Sequence, residues 1–298
     1  MRRREFVGVL AAGLAPVWSP RLREQFVERW SWAMGQPVHV MLFAGSEQEG
    51  LDACAAALAE LRRVESRLSL FEDASDLCEL NRHAGLGPMR VDVDLQAILE
   101  RAAAFRRLTG GAFDVAVEPL MRAWGFPEPR SGPPTPSELA EAREAVATAD
   151  VRLDGAIARL PNEHTQLDFG GIGVGYGIDR ALAVLRARGI CRAFVDVSGD
   201  CAAIGSPPGA AGGGWLVDIA DPMHPGASIA TTVLCDAALA TSANTVRRHV
   251  FDPATGRPAD ALRQTSVVAV SATAADAFST AMLVSGRRPP GIMWAYAV

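Results

Sequence analysis

Basic clusters are the first thing that the sequence lacks. All 29 of its basic residues are arginine, none is lysine, and the formal net charge is −5. Beyond the first four residues there is no dense basic run, whereas a nucleic-acid-binding protein needs a Lys/Arg-rich face to neutralise phosphates. We therefore expect no nucleic-acid partner.

Cysteine motifs and common catalytic motifs are also absent. The five cysteines form no CxxC pair, so a zinc site has no support, and their odd number excludes a complete set of internal disulfides. No GxSxG, HExxH or GxxxxGK(S/T) motif occurs. Serine-hydrolase, zinc-protease and P-loop chemistry are therefore left without a signature.

What is present is the composition of a globular protein with a large core. Of the 298 residues, 49% are apolar and 21% are charged. Strand patterns outnumber crossover helices in the second half of the chain, which argues against a doubly wound parallel sheet. We predict an α+β fold, with mixed, largely antiparallel sheets and packed helices, in a single domain over residues 21–298.

Residues 1–20 predict export. Arg2, Arg3 and Arg4 precede an apolar run that ends at Trp18, and this run is too short to span a bilayer as a permanent helix. The order Arg-Arg-Glu-Phe-Val resembles a twin-arginine signal. We expect a periplasmic or other extracytoplasmic protein, either free or membrane-associated. A short amphipathic helix on a cytoplasmic protein is the alternative.

Residues 167–180, LDFGGIGVGYGIDR, form a glycine-rich segment. We predict that residues 167–169 end a buried strand, that the glycines form a loop, and that residues 178–188 form a helix. Glycine allows the backbone to approach a ligand closely, and a helix N-terminus offers unpaired N–H groups to anions. The segment is therefore either a phosphate cradle or a tightly packed turn.

Periodic apolar residues predict three further helices. The intervals of three and four residues fit helices over residues 47–68, 93–108 and 273–285. An Asp-Gly pair between two short apolar runs predicts a hairpin over residues 151–160.

Three side chains in the C-terminal third are candidates for chemistry. Asp276 and Thr280 are four residues apart on the last predicted helix and share one face. These hard oxygen ligands suit Mg2+, but a helix-N-terminal aspartate beside a packed threonine is the alternative. His249 precedes an Asp-Pro-x-Thr-Gly turn, where it is either a general base or a surface histidine.

Seven blocks, in this order along the chain, resemble the ApbE family of FAD:protein FMN transferases. They are Met34-Gly35 and residues 69–81, 109–126, 167–180, 194–205, 240–259 and 266–282. The resemblance implies a single catalytic domain in a periplasmic, Mg2+-dependent enzyme. Such an enzyme splits the diphosphate of FAD, transfers FMN to a threonine or serine hydroxyl of an acceptor protein, and releases AMP.

The resemblance also implies roles for individual residues. Asp276 and Thr280 would bind Mg2+ together with the backbone carbonyl of Gly177, and His249 would deprotonate the acceptor hydroxyl. The positions that match FAD contacts are Met34, Phe71, Asn81, Ala112, Phe113, Asp114, Val174, Arg180 and Val250. The acceptors of the family include subunits of membrane redox complexes and flavoprotein reductases.

Three features depart from the family pattern. Val174 stands where lysine or another polar residue is usual, and Phe71 where tyrosine is commoner. The chain ends at residue 298, soon after the last predicted helix, so we expect the closing edge strand to be missing. Two alternatives stay open: an exported FAD-binding protein without transferase activity, and an FAD pyrophosphatase that yields FMN and AMP.

Overall fold

The structure is a computed structural model that describes residues 24–126, 130–210, 212–224, 226–244 and 248–298. The predicted export signal, residues 1–20, lies outside the described residues. The elements follow one another as β1 (Gln25–Ala33), β2 (Gln36–Ala44), α1 (Glu47–Leu68), α2 (Asp76–Arg82), β3 (Pro88–Arg90), α3 (Val93–Leu108), a 3-10 turn (Val115–Val117), α4 (Glu118–Ala123), α5 (Pro136–Ala147), β4 (Arg152–Asp154), β5 (Ile157–Arg159), α6 (Gly173–Ala187), β6 (Ala193–Val197), β7 (Asp200–Ile204), β8 (Trp215–Ala220), β9 (Ser228–Leu234), β10 (Ala238–Ala243), β11 (Gln264–Ala269), α7 (Ala272–Ser285) and β12 (Trp294–Ala297).

The largest sheet has seven strands in the order β1-β2-β6-β7-β10-β11-β12. Each neighbouring pair in it is antiparallel, as are the pairs in the smaller sheets β3-β5-β4 and β8-β9. The predicted α+β fold with largely antiparallel sheets is confirmed. Among the described residues, no helix combines the length and apolarity that crossing a membrane requires.

Alternating side chains give the seven-stranded sheet two apolar faces. Val38, Val40 and Leu42 of β2 are buried against α1, α6 and α7 in the main core. Met41 and Phe43, which alternate with them, point to the opposite face and pack with Trp215 of the β8-β9 ribbon. Because strand side chains alternate between faces, one strand supplies both layers.

Local sequence signals fix the ends of the predicted helices. The Ser46 side chain accepts a hydrogen bond from the Glu49 N–H at the start of α1, and Asp92 caps α3 through the Leu95 N–H. Gly286 ends α7 in the left-handed conformation, with φ of 65°. The predicted helices over 47–68 and 93–108 are confirmed at both ends.

The C-terminal edge corrects one prediction. The closing strand is present, because β12 pairs with β11 from Thr265↔Ala297 to Val268↔Trp294. The Arg263 N–H also donates to the Val298 carbonyl at 2.7 Å. The expectation of a missing edge strand was wrong, since a four-residue strand is enough to cover β11.

The glycine-rich segment corrects a second prediction. Residues 167–169 form no strand, because the Asn81 side chain, rather than a strand partner, binds both the N–H and the carbonyl of Leu167, each at 2.9 Å. Helix α6 begins at Gly173 instead of residue 178. The low helix propensity of glycine is overridden here by packing against α7.

At Gly175, helix α6 lies against α7 with no room for a side chain. A Cβ placed on Gly175 would lie 2.3 Å from the Ala272 carbonyl oxygen and 2.9 Å from the Asp276 Cβ. A backbone carbonyl cannot move aside as a flexible side chain can, so only glycine fits at this position.

We therefore expect Gly175→Ala to lower the free energy of unfolding by about 1–3 kcal/mol or more, measured by chemical denaturation. Gly173→Ala is the matched control in the same helix, because its added Cβ would meet the nearest atom, Phe169 Cβ, at 3.6 Å. A Gly175→Ala variant as stable as the control would contradict the close helix contact.

Candidate active site

Two adjoining cavities open where α6 and α7 meet the ends of the large sheet. The first, here called the polar cavity, has a volume of about 390 Å3 and includes the carboxyl groups of Asp114, Asp168, Asp200 and Asp276 in its wall. The second, the apolar cavity, has about 410 Å3. Both volumes fall in the range of ~300–1,000 Å3 typical of small-molecule sites. The wall that the two cavities share contains Met121, Asp168, Gly170, Val174 and His249.

Helix α7 presents the predicted ligand pair to the polar cavity. Asp276 and Thr280, one helical turn apart, both line it. The Asp276 carboxylate accepts a hydrogen bond from the Gly175 N–H at 3.0 Å, near the N-terminus of α6. The Thr280 hydroxyl lies 3.3 Å from that of Ser242, and a Cβ on Gly171 would come within 3.0 Å of it.

Three acids of this cavity, Asp168, Asp200 and Asp276, have raised pKa values. Burial raises the pKa of Asp276 well above its usual range, and the Asp200 carboxylate raises it further. Burial, and then the nearby Asp196, raise the pKa of Asp200 to about 7. Burial also raises the pKa of Asp168 to about 6, with Glu118 adding to the effect. Negative charges that are removed from water and brought near one another disfavour the ionised forms.

A divalent cation fits this donor set. In the described part of the chain, Asp168, Asp200 and Asp276 form no ion pair with an arginine or histidine. Within the same residues, no three His, Cys, Asp or Glu side chains group closely enough to hold a metal by themselves. A site here would therefore rest on Asp276, the Thr280 hydroxyl and further oxygen ligands from a substrate or water, as is common for Mg2+.

The segment after α3 forms a second wall of the polar cavity. Ala112, Phe113 and Asp114 all line it, as predicted for an FAD contact. The Asp114 carboxylate accepts hydrogen bonds from Arg106 Nε at 2.6 Å and from the Ala116 N–H at 2.9 Å. Asp114 is therefore already paired, unlike the three acids described above.

His249 lies on the wall that the two cavities share, and its side chain is exposed. The buried Asn244 positions this stretch, because its amide donates to the carbonyls of Val250 and Ala259 and accepts from the Val250 N–H. Val250 lines the polar cavity beside His249. A base placed here would be reachable from both cavities and from solvent.

The apolar cavity is lined by side chains that suit a flat ring. Met34 and Phe71 both contribute to it, together with Leu68, Leu70 and Phe169. Phe71 is 81% exposed, so its ring is free to stack on a ligand. Val174 lies in the wall between the two cavities and brings no charge to it.

The structure does not bring three of the predicted residues into either cavity. Arg180, on α6, forms ion pairs with α1 and α3 instead: its Nε lies 3.1 Å from Glu60 Oε1 and 3.6 Å from Asp94 Oδ1. The Asn81 side chain is hydrogen-bonded to the backbone N–H and carbonyl of Leu167. Gly177 faces α1, since a Cβ on it would meet Leu61 at 3.2 Å.

The reason for the Gly177 correction is helical geometry. Gly177 lies in the second turn of α6, where backbone carbonyls accept hydrogen bonds from the next turn. Gly170 and Gly171, just before the helix, are the glycines of this segment that line the polar cavity. A backbone carbonyl ligand is therefore better sought at the entry to α6.

Asp168 and Asp200 line the polar cavity but were not predicted as site residues. Asp168 lies two residues before Gly170, ahead of α6, and Asp200 directly follows Gly199 at the start of β7. An acidic residue within two positions of a glycine, where one element gives way to the next, is the signal that would have found them.

The fold and the cavities define a single-domain α+β protein with an acidic cleft beside an apolar one. The ApbE family profile matches residues 34–294. The chain belongs to the ApbE family.

Similar proteins carry the names of flavin transferases. The FAD:protein FMN transferase of Treponema pallidum is 33% identical over 259 residues, covering 78% of this chain and 72% of that protein. The one from Vibrio cholerae is 28% identical, covering 76% and 71%. The crystal structure of the ApbE protein from Thermotoga maritima matches with a TM-score of 0.78 and 29% identity, covering 87% of each chain.

The raised pKa of Asp200 predicts that the stability of the folded protein depends on pH. Because the folded-state pKa of about 7 exceeds the ordinary 3.8, the native state binds more protons than the unfolded state between these values, and stability falls as pH rises through that window. Without divalent cations, Asp200→Asn should raise the melting temperature at pH 8 by about 2–4 °C or more, and by less at pH 5. Asparagine can still accept from the Thr241 N–H, a contact of 2.9 Å. Equal gains at both pH values would contradict the assignment.

Proposed function

We propose that this protein is a Mg2+-dependent FAD:protein FMN transferase, which moves FMN from FAD to a threonine or serine hydroxyl of an acceptor protein and releases AMP. One observation carries the proposal. Asp276 and Thr280 lie together in a cavity wall that also holds His249, at a junction between an acidic and an apolar cavity. The names of its relatives support the same reaction.

The proposed metal site consists of Asp276 and Thr280. They would hold Mg2+, which when bound would supply positive charge to stabilise the negative charge that builds up on the FAD diphosphate during cleavage. Asp168, Asp200 and Asp276, which have no basic partner among the described residues, favour a cation and disfavour a bare diphosphate, so we expect FAD to bind well only in the presence of the cation.

The transfer step exchanges one bond to phosphorus for another. The acceptor oxygen forms a bond to the phosphorus of the FMN half, the bond from that phosphorus to the bridging oxygen breaks, and AMP leaves with that oxygen. His249 takes the proton of the acceptor hydroxyl, since an alcohol is a weak nucleophile without a base. The exposure of His249 lets a loop of an acceptor protein reach it.

The apolar cavity binds one of the ring systems of FAD in this proposal. Phe71 and Met34 offer an aromatic face and a polarisable thioether to one of the two ring systems of FAD. Phe71 stands where tyrosine is commoner in the family, and its ring offers the same aromatic surface for stacking. Val174, on the wall that the two cavities share, offers the substrate an apolar surface where the family usually has a polar side chain.

The export signal proposed for residues 1–20 would deliver the folded enzyme to the periplasm, where exposed domains of membrane redox complexes and flavoprotein reductases are accessible as acceptors. Export by the twin-arginine route suits a protein that folds before transport.

One assay distinguishes this function from its alternatives. The purified protein is incubated with FAD, Mg2+ and an acceptor protein that carries a target threonine, with the same acceptor carrying valine in its place as control. Covalent flavin fluorescence on the threonine form alone supports transfer. Release of FMN and AMP without labelling supports a pyrophosphatase, and unchanged FAD supports a binding protein.

We expect Asp276→Asn to reduce Mg2+-dependent transfer by at least about 10²–10³-fold, because it removes the charge that holds the cation. Asparagine can still accept the hydrogen bond from the Gly175 N–H and removes the cost of burying an acid, so the melting temperature should not fall. Transfer at the wild-type rate in saturating Mg2+ would refute the metal assignment.

We expect His249→Asn to slow transfer by about 10²–10⁴-fold, since it removes the base. The dissociation constant of FAD, measured by fluorescence quenching, should change far less. Equal losses in binding and transfer would show that His249 only shapes the cavity.

A further inference from the structure

Helices α6 and α7 each bind the N-terminal region of the other. The Asp179 carboxylate, on α6, accepts hydrogen bonds from the N–H groups of Ala272 at 2.8 Å and Thr273 at 3.0 Å, and from the Thr273 hydroxyl. The Asp276 carboxylate, on α7, accepts from the Gly175 N–H at 3.0 Å in return. Each acid therefore stabilises the partially positive end of the opposite helix.

These hydrogen bonds between α6 and α7 fix the position of the Asp276 carboxylate. Its position depends on how α7 sits against α6, and the contact at Gly175 leaves no space for a side chain between them. Asp179 ties the first turn of α7 to α6, one turn before Asp276. Asp179 itself lines neither cavity, so it acts on a ligand only indirectly, through the placement of α7 and through its own charge, which adds to the raised pKa of Asp276.

Helix α7 has an independent cap of its own. The Ser271 side chain accepts from the Ala274 N–H at 3.2 Å, as a normal N-cap does. The hydrogen bonds to Asp179 are therefore not needed merely to begin the helix. What they add is the link between α6 and α7.

We propose that Asp179 is a positioning residue for the divalent-cation site, holding the Asp276 carboxylate in the orientation that binds the cation. The inference rests on the proposed function, because it assumes that Asp276 binds Mg2+. Residues that orient a metal ligand without touching the metal commonly change metal affinity by about 10- to 100-fold when they are replaced.

The test measures Mn2+ binding to the full chain by the loss of the free Mn2+ signal in electron paramagnetic resonance, without FAD. We expect Asp179→Ala to weaken Mn2+ binding by about 10- to 100-fold, and Asp179→Asn to weaken it less, because asparagine keeps one acceptor oxygen. High concentrations of Mg2+ should restore FMN transfer to both variants, which a lost catalytic group would not allow.

Ser271→Ala is the matched control. It removes a cap from the same end of α7 without cutting the link to α6, and should lower the melting temperature by about 2–4 °C while leaving Mn2+ affinity unchanged. If Asp179→Ala is too unstable to measure, Asp179→Asn carries the test.

The outcomes separate this inference from the proposed function. Wild-type affinity for Mn2+ in both Asp179 variants would overturn the positioning role and leave the proposed metal site intact. Equal weakening by Ser271→Ala would reduce Asp179 to a stabiliser of α7. If the wild-type chain does not bind Mn2+, the proposed metal site is contradicted, and the positioning role of Asp179 is contradicted with it.

Discussion

The buried carboxylate of Asp276 is the constraint on which the site depends. Removing a carboxylate from water is costly, and here the protein offsets that cost with the Gly175 N–H at the start of α6 rather than with a basic side chain. Asp200, on β7, stands close enough to raise the pKa of Asp276 further. The fold therefore keeps two neighbouring acids buried in a setting that disfavours their ionised forms, which is the setting that the proposed cation would relieve.

Two arginines, Arg63 and Arg180, stabilise the scaffold away from the two cavities. Arg63 and Arg180 join Glu60 and the buried Asp94 in one network between α1, α3 and α6, and the Tyr176 hydroxyl donates to Asp94 at 2.7 Å. This network ties α6 to α1 and α3. These two arginines therefore stabilise the scaffold and add no positive charge to the polar cavity.

Much of the fold could be predicted from the sequence, because its signals there are local. The apolar spacing in residues 47–68 and 93–108 matches α1 and α3, and the predicted hairpin is present as β4 and β5. The pairing of Asp276 with Thr280 on one face of α7 follows from helical geometry alone. Most of the residues that the family resemblance indicated do line one of the two cavities.

The rest depended on contacts between distant parts of the chain. The glycine-rich segment looks like a loop until Asn81 and α7 bind its backbone and allow a helix to begin at Gly173. Arg180 could not be assigned from sequence because its partner Glu60 lies 120 residues away. The roles of Asp179 and Asp200 likewise appear only when α6, α7 and β7 are brought together.

The central claim is that Asp276 and Thr280 hold a divalent cation at the diphosphate of FAD. Anomalous diffraction from crystals of the protein grown with FAD and Mn2+ tests it most directly. The account predicts one strong manganese peak within coordination distance of the Asp276 carboxylate, the Thr280 hydroxyl and a phosphate oxygen. A peak elsewhere, or FAD bound with its diphosphate away from α7, would contradict it.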